Sequence, residues 1–230
     1  MNLNENISRL KELMGLLTED QNNYVSQPIV FVGSAGAGKS TTAQAVSKKL
    51  GIPYIDVDAM EGSEEFEKWC ANDGIVVNIK RVEGHNYGPQ NLEKKPEGEW
   101  IKIQDQYKRC VLSKILQKYG NMKVVIDIGG DSIKNSDLVE NLPNLFVFGV
   151  PPSPDEDAPY IEFLRKNRED RAKKMGQPEL EGGINNDEIQ QSIDSIREYY
   201  RGKQNIGSFD ENGKRKTTEE LVDEIIAKLT

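Results

Sequence analysis

Gly33-Ser34-Ala35-Gly36-Ala37-Gly38-Lys39-Ser40, continued by Thr41, fits G-x-x-x-x-G-K-[ST] without a mismatch. Glycines at these places let the backbone curl so that successive N–H groups point inward at a triphosphate. The positive end of the following helix reinforces them. In that geometry Lys39 reaches the β- and γ-phosphates, and the Ser40 hydroxyl is a ligand for Mg²⁺. The flanks agree with the motif. Pro28 to Val32 is an apolar, β-branched run that predicts a buried strand, and Thr41 to Leu50 predicts a helix ending at Gly51-Ile52-Pro53. Residues 33–41 therefore predict a nucleotide site.

Bulk composition narrows the class. The 230 residues suffice for one sizeable α/β domain with a small appendage. Mean hydropathy is −0.65 and no apolar run is long enough to span a bilayer. These features predict a cytoplasmic protein with no membrane partner. A net charge of −8 argues against an extended duplex-binding surface but leaves room for a local basic groove. Cys70 and Cys110 lack CxxC spacing and read as packing residues without a disulfide partner. His85 is the single histidine, too little for a multi-histidine metal site.

Along the chain, residues 1–25 read as a separate amphipathic leader or docking helix, with Ile7, Leu10, Met14 and Leu17 on one face. Residues 26–230 then alternate strand and helix. Strands are predicted at 54–57, 75–82, 123–128, 145–150 and 205–209. Helices are predicted at 62–71, 104–119 and 186–200, with a closing helix capped by Thr217 and Glu220. The polar stretch 153–185 is too long for an ordinary connection and reads as a lid. Strands alternating with crossover helices imply an α/β fold, a doubly wound and mostly parallel sheet with helices on both faces. Ligands in such folds bind at the carboxyl ends of the strands.

Several acids and bases fall where that geometry needs them. Alternation along a second strand ending Asp56-Val57-Asp58 places Asp56 and Asp58 on one side. One carboxylate there suits a metal. The other suits an acceptor hydroxyl, which it would deprotonate or orient. Val124-Val125-Ile126-Asp127 is an apolar strand ending in an acid, so Asp127 is the preferred second metal ligand, with Asp131 as the alternative. Gly129 and Gly130 allow an acceptor to approach closely. Arg165, Arg168 and Arg171 recur every three residues and share a face if helical. Closed over the loop, they would neutralise charge on a transferred phosphoryl group.

From residue 27 onward the chain resembles the small P-loop kinases. GSAGAGKST followed by PYIDVD is similar to shikimate and gluconate kinases. That resemblance implies Asp58 as acceptor-binding residue or base, with Gly129 and Gly130 in the acceptor site. Asp131 stands where shikimate kinases carry a third glycine, and their Arg-Pro lid pair is missing. Phe163-Leu164-Arg165-Lys166-Asn167-Arg168, with Ser195 to Tyr199, is similar to the lid and following helix of phage polynucleotide kinase. Together these resemblances imply an ATP- and Mg²⁺-dependent phosphotransferase acting on a hydroxyl of DNA or a nucleotide, such as a hydroxymethylated uracil, in phage DNA modification. The alternatives are a small-metabolite or nucleoside-monophosphate kinase, and a nucleotide-dependent switch.

Overall fold

The structure, a computed structural model, describes residues 27–77, 99–129, 135–151, 156–174, 185–210 and 214–229. The expected leader, His85, Gly130 and Asp131 lie outside the described residues. Five strands form one sheet: β1 (Ile29–Gly33), β2 (Tyr54–Asp56), β3 (Val125–Asp127), β4 (Asn144–Phe148) and β5 (Gln204–Ile206). Their order is β2-β3-β1-β4-β5 and every pairing is parallel. Strand β1 sits at the centre and is buried throughout, as an all-apolar run must be when both faces are covered. The chain leaves β1 toward one edge and β4 toward the other. The carboxyl ends of that adjacent pair therefore form the switch point where ligands bind in such sheets.

The alternation of side chains divides the core in two. Val30, Val32, Ile55, Ile126 and Val147 face one apolar layer. Packed there are α2 (Val57–Glu61), α3 (Glu64–Asn72), α4 (Glu99–Tyr119) and α5 (Ser136–Val139). Ile29, Phe31, Val125, Phe146 and Phe148 face the other layer. It contains α1 (Lys39–Leu50), α6 (Asp157–Lys174), α7 (Asn186–Tyr199) and α8 (Thr218–Leu229). The closing helix starts with the expected reciprocal cap: Thr217 N–H donates to Glu220 Oε2 at 2.6 Å, and Glu220 N–H donates to Thr217 Oγ1 at 3.2 Å.

Four expectations need correction. Strand β2 stops at Asp56, because the Asp56 carboxylate caps a helix that begins at Val57. Residues 75–77 form no strand, and 78–82 lie outside the described residues. The stretch 153–185 is not one long loop, since α6 occupies Asp157–Lys174 within it. Asp157 at its start is tied to α7 by Arg197, at 2.6 and 3.2 Å, and by Gln190 at 2.9 Å. Burial pushes the Asp157 carboxyl up, but these donors and the Arg197 charge outweigh it and hold it below the usual range.

The fourth correction concerns the cysteines. Cys70 on α3 and Cys110 on α4 form a disulfide with Cα atoms 5.9 Å apart. Both face the same buried layer, so two residues read separately as packing become one covalent link. A loop of 40 residues closed this way stabilises a domain by about 2–4 kcal/mol. Reduction, or the Cys70→Ser/Cys110→Ser pair, is expected to lower the unfolding free energy by that amount, read as a lower urea midpoint. Unfolding curves recorded with and without a dithiol check it, and the double variant should not respond to the dithiol.

Candidate active site

The loop between β1 and α1 is shaped by glycines. Gly36 and Gly38 adopt φ of 87° and 88°, a left-handed region that side chains with a Cβ rarely enter. Gly38 is also the N-cap of α1, and no side chain caps the helix there. The first turn of α1 carries no acid, so its N–H groups and dipole are left for an anion. Helix α6 packs on the loop from above. Asn167 Nδ2 donates to Gly36 O at 2.7 Å and Arg168 Nε donates to Ala35 O at 3.0 Å. These two donors hold the loop by its carbonyls.

Lys39 is 7% exposed and forms an ion pair with Asp127, itself 3% exposed, at the end of β3. Two strands set this contact, since Phe31 on β1 is in register with Asp127 on β3. The other carboxylate oxygen, Asp127 Oδ2, accepts from Tyr54 Oη at 2.9 Å. Burial and the neighbouring Asp127 charge push the Tyr54 hydroxyl well above its ordinary range, so it stays protonated as a donor. Asp56 is the register partner of Asp127 across β2 and β3, which brings the two acids side by side as a shared metal site requires. Asp56 Oδ1 accepts Ala59 N–H at 3.1 Å, so capping occupies part of its capacity.

Asp58 lies on α2, not on the strand, so strand alternation does not place it. Its carboxylate nonetheless lies against the backbone just beyond β3. A Cβ built on Gly129 would stand 2.0 Å from Asp58 Oδ1. Asp58 and Gly129 therefore meet at the carboxyl end of the sheet. Gly129 follows Ile128, whose N–H donates to Phe31 O of the strand that leads into the phosphate loop.

The three arginines do not act as one face. Arg168 meets the loop, as above. Arg165 is paired with Glu162 at 2.6 Å and Glu169 at 2.5 Å on its own helix, and Arg171 is exposed. Ser34 is buried and its Oγ lies 3.3 Å from Ser192 Oγ of α7, while Ser40 and Thr41 are exposed at the start of α1. Sequence reasoning assigned no role to Tyr54 and named Asn167 only within the lid resemblance. Tyr54 is two residues before Asp56 on a strand, so the same alternation used for Asp56 and Asp58 signals its shared face. A cleft of about 350 Å³ between α3 and α4, lined by Trp69, Asn72, Lys114, Gln117 and Lys118, contains none of these residues.

Comparison with known proteins agrees with this geometry. No family model matches the chain. A cytidylate kinase of Clostridioides difficile is 26% identical over 218 residues, spanning 87% of this chain and 97% of that enzyme. A probable gluconokinase of Schizosaccharomyces pombe is 37% identical over 70 residues, 29% of this chain and 36% of that protein. The chain is a small P-loop kinase. The solved shikimate kinase of Acinetobacter baumannii in complex with shikimate superposes with a TM-score of 0.53 at 16% identity, covering 91% and 96% of the two chains. That likeness shows the α/β P-loop fold.

Gly129→Ala tests whether the contact between Asp58 and Gly129 serves transfer. A methyl group cannot share space with the Asp58 carboxylate, so Asp58 must move. Transfer is expected to fall by at least tenfold while nucleotide affinity stays within about twofold. Steady-state rates together with equilibrium nucleotide binding check the separation.

Proposed function

We propose that this kinase transfers the γ-phosphoryl group of ATP to a hydroxyl of a small polar acceptor, with Asp58 as the residue that orients or deprotonates that hydroxyl. One observation supports it most: the Asp58 carboxylate seated on Gly129 at the carboxyl end of the sheet, a strand away from the phosphate loop. The absence of a side chain at Gly129 lets the carboxylate lie against the backbone, which holds a candidate base at the end of the strand beside β1.

The residues fit a nucleotide and its metal. The uncapped start of α1 and the buried Lys39 ammonium both call for an anion. Ser40, Asp127 and the adjacent Asp56 form the oxygen donor set that would hold Mg²⁺, which when bound neutralises charge across the β- and γ-phosphates. In the mechanism Lys39 exchanges its Asp127 partner for phosphate oxygens. The loop amides of Gly36 to Ser40 fix the triphosphate, and Asp58 accepts the acceptor's proton as the hydroxyl attacks in line. Arg168, already at the loop, is the arginine best placed to meet charge on the transferred group. Arg165 would first have to leave Glu162 and Glu169.

A second reading has its own support. The cytidylate kinase relative matches nearly end to end, which favours a nucleoside monophosphate whose phosphate accepts the group. The nucleic-acid acceptor expected from the lid resemblance draws no support from these relatives, none of which is a polynucleotide kinase or a phage protein by name. The net charge of −8 does not favour it either.

Transfer from γ-labelled ATP to a panel of acceptors tests these readings. Shikimate, gluconate, CMP and other nucleoside monophosphates, 5′-hydroxyl oligonucleotides and 5-hydroxymethyluracil DNA make up the panel. Label on a small alcohol is the expected result. Label on CMP favours the second reading, and label on DNA overturns both. With the acceptor found, Asp58→Asn is expected to lower kcat by two to four orders of magnitude while leaving ATP binding nearly intact. Equal losses in kcat and ATP affinity would remove Asp58 from the proton-accepting role.

A further inference from the structure

Asp127 carries two partners of different kind, and the proposed reaction removes one of them. Lys39 pairs with Oδ1, and the Tyr54 hydroxyl donates to Oδ2 at 2.9 Å. Once Lys39 turns to phosphate oxygens, Asp127 loses the ammonium that held Oδ1. A carboxylate on a strand's last residue rotates about two torsions, and its terminal torsion is broad and two-fold. Left alone, it has no fixed direction in which to present an oxygen.

We propose that Tyr54 is a positioning residue for Asp127, holding Oδ2 so that Oδ1 stays aimed at the phosphate loop when Lys39 leaves it. The inference rests on the reading of Asp127 as a metal-holding carboxylate. Three features favour a tyrosine for the task. A phenol is a neutral donor, so it steadies the carboxylate without competing with a cation for it. It has a single proton, and the hydroxyl gives it to Asp127 Oδ2 at 2.9 Å. The ring is half-buried against the apolar layer under α1, which fixes the hydroxyl in place. The linkage runs from Tyr54 on β2 through Asp127 on β3 to Lys39 on α1.

The test measures binding rather than turnover. Isothermal titration of ADP into wild type, Tyr54→Phe and Asp127→Asn, each with Mg²⁺ and with a chelator, separates the contributions. Phenylalanine keeps the ring and removes the hydroxyl. Tyr54→Phe is expected to cut the Mg²⁺-dependent gain in ADP affinity by roughly tenfold, the scale of one hydrogen bond to a charged group. Its chelated affinity should stay within about twofold and its melting temperature within a few degrees. An unchanged gain in Tyr54→Phe, alongside a lost gain in Asp127→Asn, overturns the role of Tyr54 alone. An intact gain in Asp127→Asn overturns the metal reading of Asp127, and the Tyr54 inference falls with it. Equal weakening of Tyr54→Phe with and without Mg²⁺ makes Tyr54 a packing residue of the loop and also overturns the proposal.

Discussion

An ammonium buried beneath a sheet edge has to be met by negative charge, and in this protein two different anions are available to meet it. Lys39 and Asp127 are both almost wholly buried. Removing either partner strands the other in a low-dielectric site at a cost of about 3–5 kcal/mol. The pair therefore fixes the register in which α1 leaves β1 and the position of β3 beside it. Under the proposed function, nucleotide binding would exchange one anion for another at Lys39, so the large desolvation term would be present in both states and largely cancel in the difference.

The remaining parts of the site are arranged around that exchange. Strand β3 ends in Asp127 and Gly129 follows two residues later, so the acid paired with Lys39 and the glycine that meets Asp58 leave the same strand end. Helix α6 approaches from the other layer and holds the loop by its carbonyls through Asn167 and Arg168. A Cβ on Gly36 would lie 3.2 Å from Leu164 O, so the glycine that allows the loop to curl also allows α6 to sit this close. Far from the loop, the Cys70–Cys110 disulfide and the ring contact of Phe66 with Trp69 at 5.0 Å consolidate α3 against α4. That packing backs the segment carrying Asp58.

Much of this was legible in the sequence where a single local rule decides. The phosphate loop, the buried β1, the acid closing β3 and the Thr217–Glu220 cap each follow from short-range chemistry. Errors arose where a residue answers to two rules at once. Asp56 satisfies strand alternation and is also a good helix N-cap. The cap won, so Asp58 reaches Gly129 from a helix instead of a strand. Helix α6 is so polar, with Tyr160, Leu164 and Ala172 as sparse buried points, that no apolar stripe announces it. Its start is fixed by a partner on α7, the Asp157–Arg197 pair, which no local pattern shows. The cysteines sit 40 positions apart and became a pair only through the packing of α3 on α4.

The geometry also bears on acceptor size. Asp58 is drawn against the backbone at Gly129, and α6 packs on the phosphate loop, so under the proposed function an acceptor would have to fit between these two elements. A duplex must bring a strongly hydrated, uniformly anionic backbone to such a centre. It needs compensating cations around the entrance. Of the three arginines in the basic run, Arg165 is already committed to Glu162 and Glu169, and Arg168 is held at the loop. Two of the three arginines are thus engaged within α6 and on the loop it covers. A small acceptor, whose few polar groups are matched by one carboxylate and a stretch of backbone, makes no such demand.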